Sequence, residues 1–216
     1  MEQILKILEK FVSQYNLPFA DYIKKETNDP FKILVSVILS SRTKDETTAK
    51  VCINLFEYIK NIEDLKNISD KDLEKLLYPV GFYKTKTRHL KLLANILEKQ
   101  YKYKIPSDID ELLKLPGVGR KTANLVVNIA FDKPGICVDV HVHRILNRLG
   151  HLKTKNPFET EIYLRQNLNK KYWRKINYIL VLFGQNLCKP INPKCGVCPI
   201  YKYCKRVNVI TKHEIR

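Results

Sequence analysis

Apolar residues recur at helical spacing along almost the whole of this chain, and no stretch alternates apolar with polar as a half-buried strand would. Ile4, Ile7, Leu8, Phe11, Val12 and Tyr15 make one stripe, and Val51, Leu55 and Ile59 make another. DPFKILVSVILSS reads as an apolar helix behind a proline, and TKTRHLKLLANILEKQY as an amphipathic one. SDKDLEKLLYPVGFY opens on a Ser-x-x-Asp cap and stops at Pro79-Val80-Gly81. This pattern predicts an all-α fold of about ten helices with short connections. No Gly/Ser linker is present; the best break in composition is DKPG at 132–135, where two lobes can join.

The 216 residues are enough for one large domain or two small ones, each with its own core. They carry 39 Lys and Arg against 22 Asp and Glu, a net charge of +17. That excess is more than solubility needs and points to a polyanion, nucleic acid first. A lysine-rich composition from an AT-rich genome or a thermophile is the competing explanation. The opening MEQILKILEKFVSQY breaks its apolar residues with charge and lacks the core of a signal peptide. No segment approaches the ~20 apolar residues of a membrane span. The expectation is a soluble, cytoplasmic protein.

Cys52 and Cys137 fall in apolar runs and read as core residues. Cys188, Cys195, Cys198 and Cys204 crowd one short C-terminal loop, where a reducing compartment favours metal ligands over disulfides. Structural zinc usually takes two close cysteine pairs, and only Cys195 and Cys198 form one here. Four thiolates on one loop suit a [4Fe–4S] cluster, although the spacing differs from the ferredoxin run. Spacing alone leaves iron–sulfur and zinc both open. Lys189, Lys194, Lys202, Lys205 and Arg206 surround the cysteines and favour a structural cluster that presents cations to phosphates.

LPGVGRKTANLVVNIAF, residues 115–131, starts as a tight turn and continues as a buried helix. Gly117 and Gly119, on either side of Val118, let backbone amides point outward beside the first N–H groups of that helix. The result is an anion site suited to phosphate, and IDELLKL before it completes a helix–hairpin–helix. Arg120 and Lys121 stand in the first turn, where the helix dipole disfavours cations by a few tenths to ~1 kcal/mol. Asn124 and Asn128 lie three and seven residues beyond Lys121, so the three share a polar stripe on an apolar helix. The stripe is either a solvated edge or the wall of a cleft, with Lys121 kept nucleophilic by the helix N-terminus and partial burial. Asp139, just before VHVHRILNRLG, is a helix cap, a catalytic carboxylate, or both.

LPGVGRKTANLVVNIAF, Pro134-Gly135 and VDVHVHR together resemble the helix-hairpin-helix/Gly-Pro-Asp superfamily of base-excision DNA glycosylases. CKPINPKCGVCPIYKYC resembles that superfamily's iron–sulfur loop, and the two motifs together resemble the endonuclease III family over nearly the whole chain. The resemblance implies a two-lobed protein with a six-helix lobe over 22–133. Residues 1–21 and 134–216 would form a second lobe with a [4Fe–4S] cluster on 188–204, and DNA would run across the cleft between the lobes. It implies a monomer acting on double-stranded DNA that contains damaged bases or abasic sites. It also implies excision of oxidised pyrimidines such as thymine glycol, with Lys121 as nucleophile, Asp139 stabilising the sugar's developing charge, and β-elimination nicking the strand. The adenine-mismatch branch lacks a lysine at this position and thymine-mismatch relatives place Tyr there, so Lys121 favours the bifunctional class.

Two more segments have family counterparts that fill the hole left by the flipped base. LSSRTKDETT places Arg42 where many members carry Gln, and PVGFYKTKT places Phe82 where a bulky apolar wedge follows the glycine. A surface arginine and a core phenylalanine are the plainer readings. His141 reads as a hydrogen-bonding positioner, and Arg144 as a structural or phosphate contact. The runner-up function is a glycosylase for T or U opposite G or for alkylated bases. A non-catalytic DNA-binding protein leaves Asp139 unexplained, and an electron-transfer protein leaves the hairpin and Lys121 unexplained.

Overall fold

The computed structural model describes residues 1–209, and every regular element among them is helical. The chain divides into two compact units: residues 1–16 together with Pro134 onward, and residues 17–133.

Helix α1 (Glu2–Val12) buries Ile4, Leu5, Leu8 and Val12. An 11-residue helix is marginal alone in water. Removing four such side chains from water contributes on the order of 6–12 kcal/mol as an upper estimate, so packing and not propensity holds α1.

The unit spanning 17–133 contains α2 (Phe19–Thr27), α3 (Pro30–Ser40), α4 (Asp45–Tyr58) and α5 (Ile62–Asn67). It continues through α6 (Asp70–Leu77), α7 (Tyr83–Tyr101), α8 (Ile109–Leu113) and α9 (Arg120–Phe131). Six of these have eight residues or more; α5 and α8 have six and five. Asp29 caps α3 through the Phe31 amide, and Pro30 occupies its first turn. Helix α3 buries Phe31 and every residue from Ile33 to Leu39, and it packs against α9, which buries Val126, Val127, Ile129 and Ala130. An apolar helix of this kind has to lie at the centre.

The division falls after Asn16 and not at 21/22, where it would cut α2. Phe19 belongs to the core of this unit, and its amide donates to Asp45 Oδ2 at 3.0 Å.

The other unit adds α10 (Val140–Leu149), α11 (Pro157–Asn167) and α12 (Trp173–Asn186), followed by the cysteine loop. Helix α1 packs on α12: Glu9 accepts from Lys175 at 2.7 Å and from the Tyr178 hydroxyl at 3.1 Å. Phe11 meets Phe183 edge-on with ring centroids 6.0 Å apart.

Candidate functional site

The hairpin forms as its sequence demands. Asp108 caps α8 by accepting from the Asp110 and Glu111 amides, Leu115 is buried, and the Val118 amide closes the turn on Leu115 O at 3.1 Å. The two glycines differ. Gly117 has φ +79°, a conformation that favours glycine, and a Cβ there would lie 3.1 Å from His89 Nδ1. Gly119 is extended at φ −94°, ψ 175°, and a Cβ there would meet nothing within 4 Å. The fold therefore does not require a glycine at 119; the lack of a side chain leaves room for an incoming group at the start of α9.

Arg120 and Lys121 are both exposed in the first turn of α9. Lys121 lacks the partial burial expected of it. Asn124 and Asn128, on the same stripe, are buried, with Asn124 Nδ2 donating to Arg120 O at 3.0 Å. The stripe is thus not a solvated edge beyond its first residue.

In the same unit, Arg42 and Phe82 come together although they are 40 positions apart in the sequence. The Arg42 guanidinium carbon lies 5.3 Å from the centre of the Phe82 ring, within cation–π range. Both residues adopt left-handed backbone, at φ +54° and +59°. Phe82 is 61% exposed, so it is not a core side chain. Beneath them lies Lys86, a residue the sequence did not single out. It is only 6% exposed, and its ammonium donates to Leu39 O at 2.8 Å, Ser41 O at 2.6 Å and Thr43 Oγ1 at 3.3 Å. Burial pushes its pKa down to about 8.

Asp139 sits at the N-cap of α10, 9% exposed, and its Oδ1 accepts from the His141 amide at 2.9 Å and the Val142 amide at 3.0 Å. The cap fixes the carboxylate's direction. One turn on, Arg144 Nη2 lies 3.1 Å from His141 Nδ1 and donates to Cys188 O at 2.9 Å and Gly184 O at 3.4 Å. Its Nη2 is thus engaged within the protein, while its buried Nε makes no hydrogen bond among the described residues. A further turn on is Arg148, also missed by the sequence reading. It is buried and donates to Cys188 Sγ at 3.5 Å, to Lys189 O at 2.6 Å and to Pro190 O. Spacing of i and i+4 on α10 was the only signal available, and it does not say which charged heads are buried.

Cys188, Cys195, Cys198 and Cys204 line one apolar-walled cavity with Ile145, Phe183 and Ile200. Among the described residues, no three His, Cys, Asp or Glu side chains close on a single ion. The arrangement fits a polynuclear cluster: four soft donors from one loop, an apolar wall, and an Arg148 N–H directed at a ligand sulfur. Cys204 Sγ also receives the Arg206 amide at 3.4 Å. Burial pushes the Cys198 thiol up to about 11 and raises Cys204 as well, so cluster loading has to drive out protons. Lys189, Lys194, Lys202, Lys205 and Arg206 are exposed around the loop.

Residues 35–171 match the HhH-GPD superfamily base excision DNA repair proteins, and 188–204 match the iron-sulfur binding domain of endonuclease III. Endonuclease III of Thermotoga maritima is 44% identical over 192 residues, 89% of this chain and 90% of that one. The chain belongs to the endonuclease III family. As a member it is a base-excision-repair DNA glycosylase, and Cys188, Cys195, Cys198 and Cys204 are the thiols available to its [4Fe–4S] cluster. An endonuclease III solved as a trapped covalent intermediate with DNA superposes with a TM-score of 0.80 at 32% identity, covering 95% of each chain. A thermostable thymine-DNA glycosylase superposes at 0.83 with 25% identity, again over 95% of each chain.

Proposed function

We propose that this endonuclease III family member removes oxidised pyrimidines from double-stranded DNA and then cuts the strand as a lyase, with Lys121 as its nucleophile. The observation that carries the proposal is the place of Lys121: exposed, in the first turn of α9, directly after a hairpin whose Gly119 leaves its flank open. A base inside a duplex is out of reach, so the damaged nucleotide must first turn out of the stack. Arg120 and the backbone around Gly117, Val118 and Gly119 hold phosphates while it does.

The deprotonated amine of Lys121 forms a bond to C1′ as the C1′–N bond breaks, and the base leaves with the bonding pair and acquires a proton. Asp139 is assigned the stabilisation of positive charge on the sugar and the uptake of the lysine proton. The sugar ring then opens to the imine, its ring oxygen taking a proton. Loss of a 2′ hydrogen sends an electron pair towards C3′ and expels the 3′ phosphate; water finally hydrolyses the imine and frees Lys121. The cluster supplies no step in this sequence; when bound, it ties four points of the 188–204 loop into one unit.

The likeness to a thymine-DNA glycosylase keeps the mismatch reading in view, since the folds superpose equally well. Lys121 separates the two, because only the lyase class requires an amine there. Action as a monomer, in a prokaryotic cytoplasm, belongs to the same proposal. Borohydride reduction during turnover tests it: a protein–DNA adduct should form and map to Lys121, whereas base release with no adduct would make the enzyme monofunctional.

A further inference from the structure

We propose that Asn177 is a positioning residue for Asp139, and that α12 keeps this carboxylate in place by gripping the chain two residues before it and two residues after it. The inference rests on the reading of Asp139 as the carboxylate of the reaction.

The cap alone does not place Asp139. Its bonds to the His141 and Val142 amides tie the carboxylate to α10. The chain that leads into the cap, residues 132–138, is not helical, so no helical ladder sets its path. Ile136 and Cys137 are fully buried there. Burial keeps the segment in the core, but the hydrophobic effect has no direction. Asn177 supplies one. It is 9% exposed on α12, beside the buried Ile176, Ile179 and Leu180, and its Nδ2 donates to Cys137 O at 3.3 Å. An amide buried among apolar side chains is unfavourable without a partner. Its partner here is the carbonyl two residues ahead of Asp139.

The second grip is a glycine. Gly184 lies seven residues beyond Asn177, about 10.5 Å along the same face of α12. A Cβ on Gly184 would lie 2.5 Å from His141 Nδ1 and 3.1 Å from its Cγ, so the imidazole rests on bare backbone. Asp139 stands midway between Cys137 and His141 in the sequence. One helix therefore holds a carbonyl on one side of the carboxylate and a ring on the other. Loss of either contact lets the first turn of α10 tilt, and the capped carboxylate moves with it. Asn177 spends an amide N–H on the backbone, so its effect on the reaction passes through Asp139.

The test is base release under single-turnover conditions from a duplex carrying one thymine glycol. Asn177→Leu removes the donor and keeps a branched side chain of similar shape. It should release the base about 10–100-fold more slowly than wild type, because a small misplacement of a reacting group is costly. Its active fraction, DNA affinity and absorbance near ~400 nm should stay as in wild type. A purely structural role would lower the active fraction and leave the rate constant of the folded molecules unchanged, and that result overturns the positioning role. If Asn177→Leu does not fold, Asn177→Ser, too short to reach Cys137 O, should show the same slow release. A double-mutant cycle tests the route. In an Asp139→Asn background, Asn177→Leu should cost no more than about twofold further; the full loss seen in the single variant would mean that Asn177 acts elsewhere. Asp139→Asn at the wild-type rate would instead remove the carboxylate reading on which the proposal rests. No release by wild type would strike at the proposed function itself.

Discussion

Arg148 donates to Cys188 Sγ across 3.5 Å, and the helix that carries it begins at the Asp139 cap. Helix α10 is thus anchored to the cysteine loop near one end and holds a carboxylate at the other. Replacing Arg148 by Met keeps the bulk but leaves the Lys189 and Pro190 carbonyls without this partner. Both residues are exposed, so water can take the arginine's place and each lost bond costs about 0.5–1.5 kcal/mol; for a protein of this size each kcal/mol lowers Tm by about 2–4 °C. The purified protein should be brown, with absorbance near ~400 nm from thiolate-bound iron. Arg148→Met should lose that colour faster than wild type under a chelator, and Cys195→Ser should lose it outright with weakened DNA binding. Equal bleaching rates for Arg148→Met and wild type would show that the arginine does not secure the loop. Stoichiometric zinc without iron would overturn the cluster.

The two hairpin glycines should separate stability from binding. Gly119→Ala meets nothing, so its unfolding midpoint should stay within experimental scatter of wild type while DNA affinity falls, because the new methyl occupies the approach of a phosphate. Gly117→Ala carries left-handed backbone strain of about 1–2 kcal/mol and crowds His89, so it should unfold earlier. Affinity of the wild type should fall steeply with salt, with a log–log slope of roughly −3 to −6 for several neutralised phosphates. A flat salt response, or a Gly119→Ala protein that binds normally, would remove the hairpin from the interface.

Lys121→Ala should abolish borohydride trapping and strand cleavage, with base release reduced by orders of magnitude. Asp139→Asn retains a good capping side chain and should fold and bind DNA as wild type does while turning over slowly. Asp139→Ala loses the two amide bonds and should add about 0.5–2 kcal/mol of destabilisation. Full trapping by Lys121→Ala would assign the chemistry to another amine; undiminished turnover by Asp139→Asn would leave Asp139 as a cap alone.

Lys86 gives a pH signature. Burial lowers its pKa to about 8, while in the unfolded chain it stays protonated to about 10.5. Between those values the unfolded state binds the extra proton, so this group makes stability rise with pH. Below pH 8 its contribution is constant, because both states are protonated. Among the described residues Cys52, the one charge that acts on Lys86 through space, is pushed up to about 12 and stays neutral through the window. In urea unfolding from pH 7 to 10, wild type should gain stability relative to Lys86→Met above pH 8. Parallel curves would contradict the buried charge.

The long helices were legible because each has enough turns to show its period; α3, α4, α7 and α9 lie where their apolar spacing puts them. Helices α2 and α5 were not read, for a physical reason: each fully buries only two apolar residues, Phe19 and Ile23 in one and Ile62 and Leu65 in the other, and neither opens on a Ser-x-x-Asp cap of the kind that marked α6, which also buries only two. Two points define no period. The Asp139 cap was visible as an aspartate ahead of a helix, and the cysteine loop as a spacing. Lys86 and Arg148 were invisible. Lys86 is one of several basic residues in YKTKTRH, and only the tertiary structure decides which of them turns its charge inward.

Helix α1 is synthesised well before its partner, since Glu9 bonds to Lys175, 166 residues later. At 5–20 residues per second, the nascent helix waits roughly 8–33 s for its partner. Residues 17–133 complete their own core during that interval, while the unit containing Asp139 and the four cysteines cannot close until α12 and its loop have been made. The order of synthesis thus withholds half of the repair machinery until α12 and its loop have been made, and a ribosome stalled between residues 133 and 139 releases the hairpin without the carboxylate or the iron ligands.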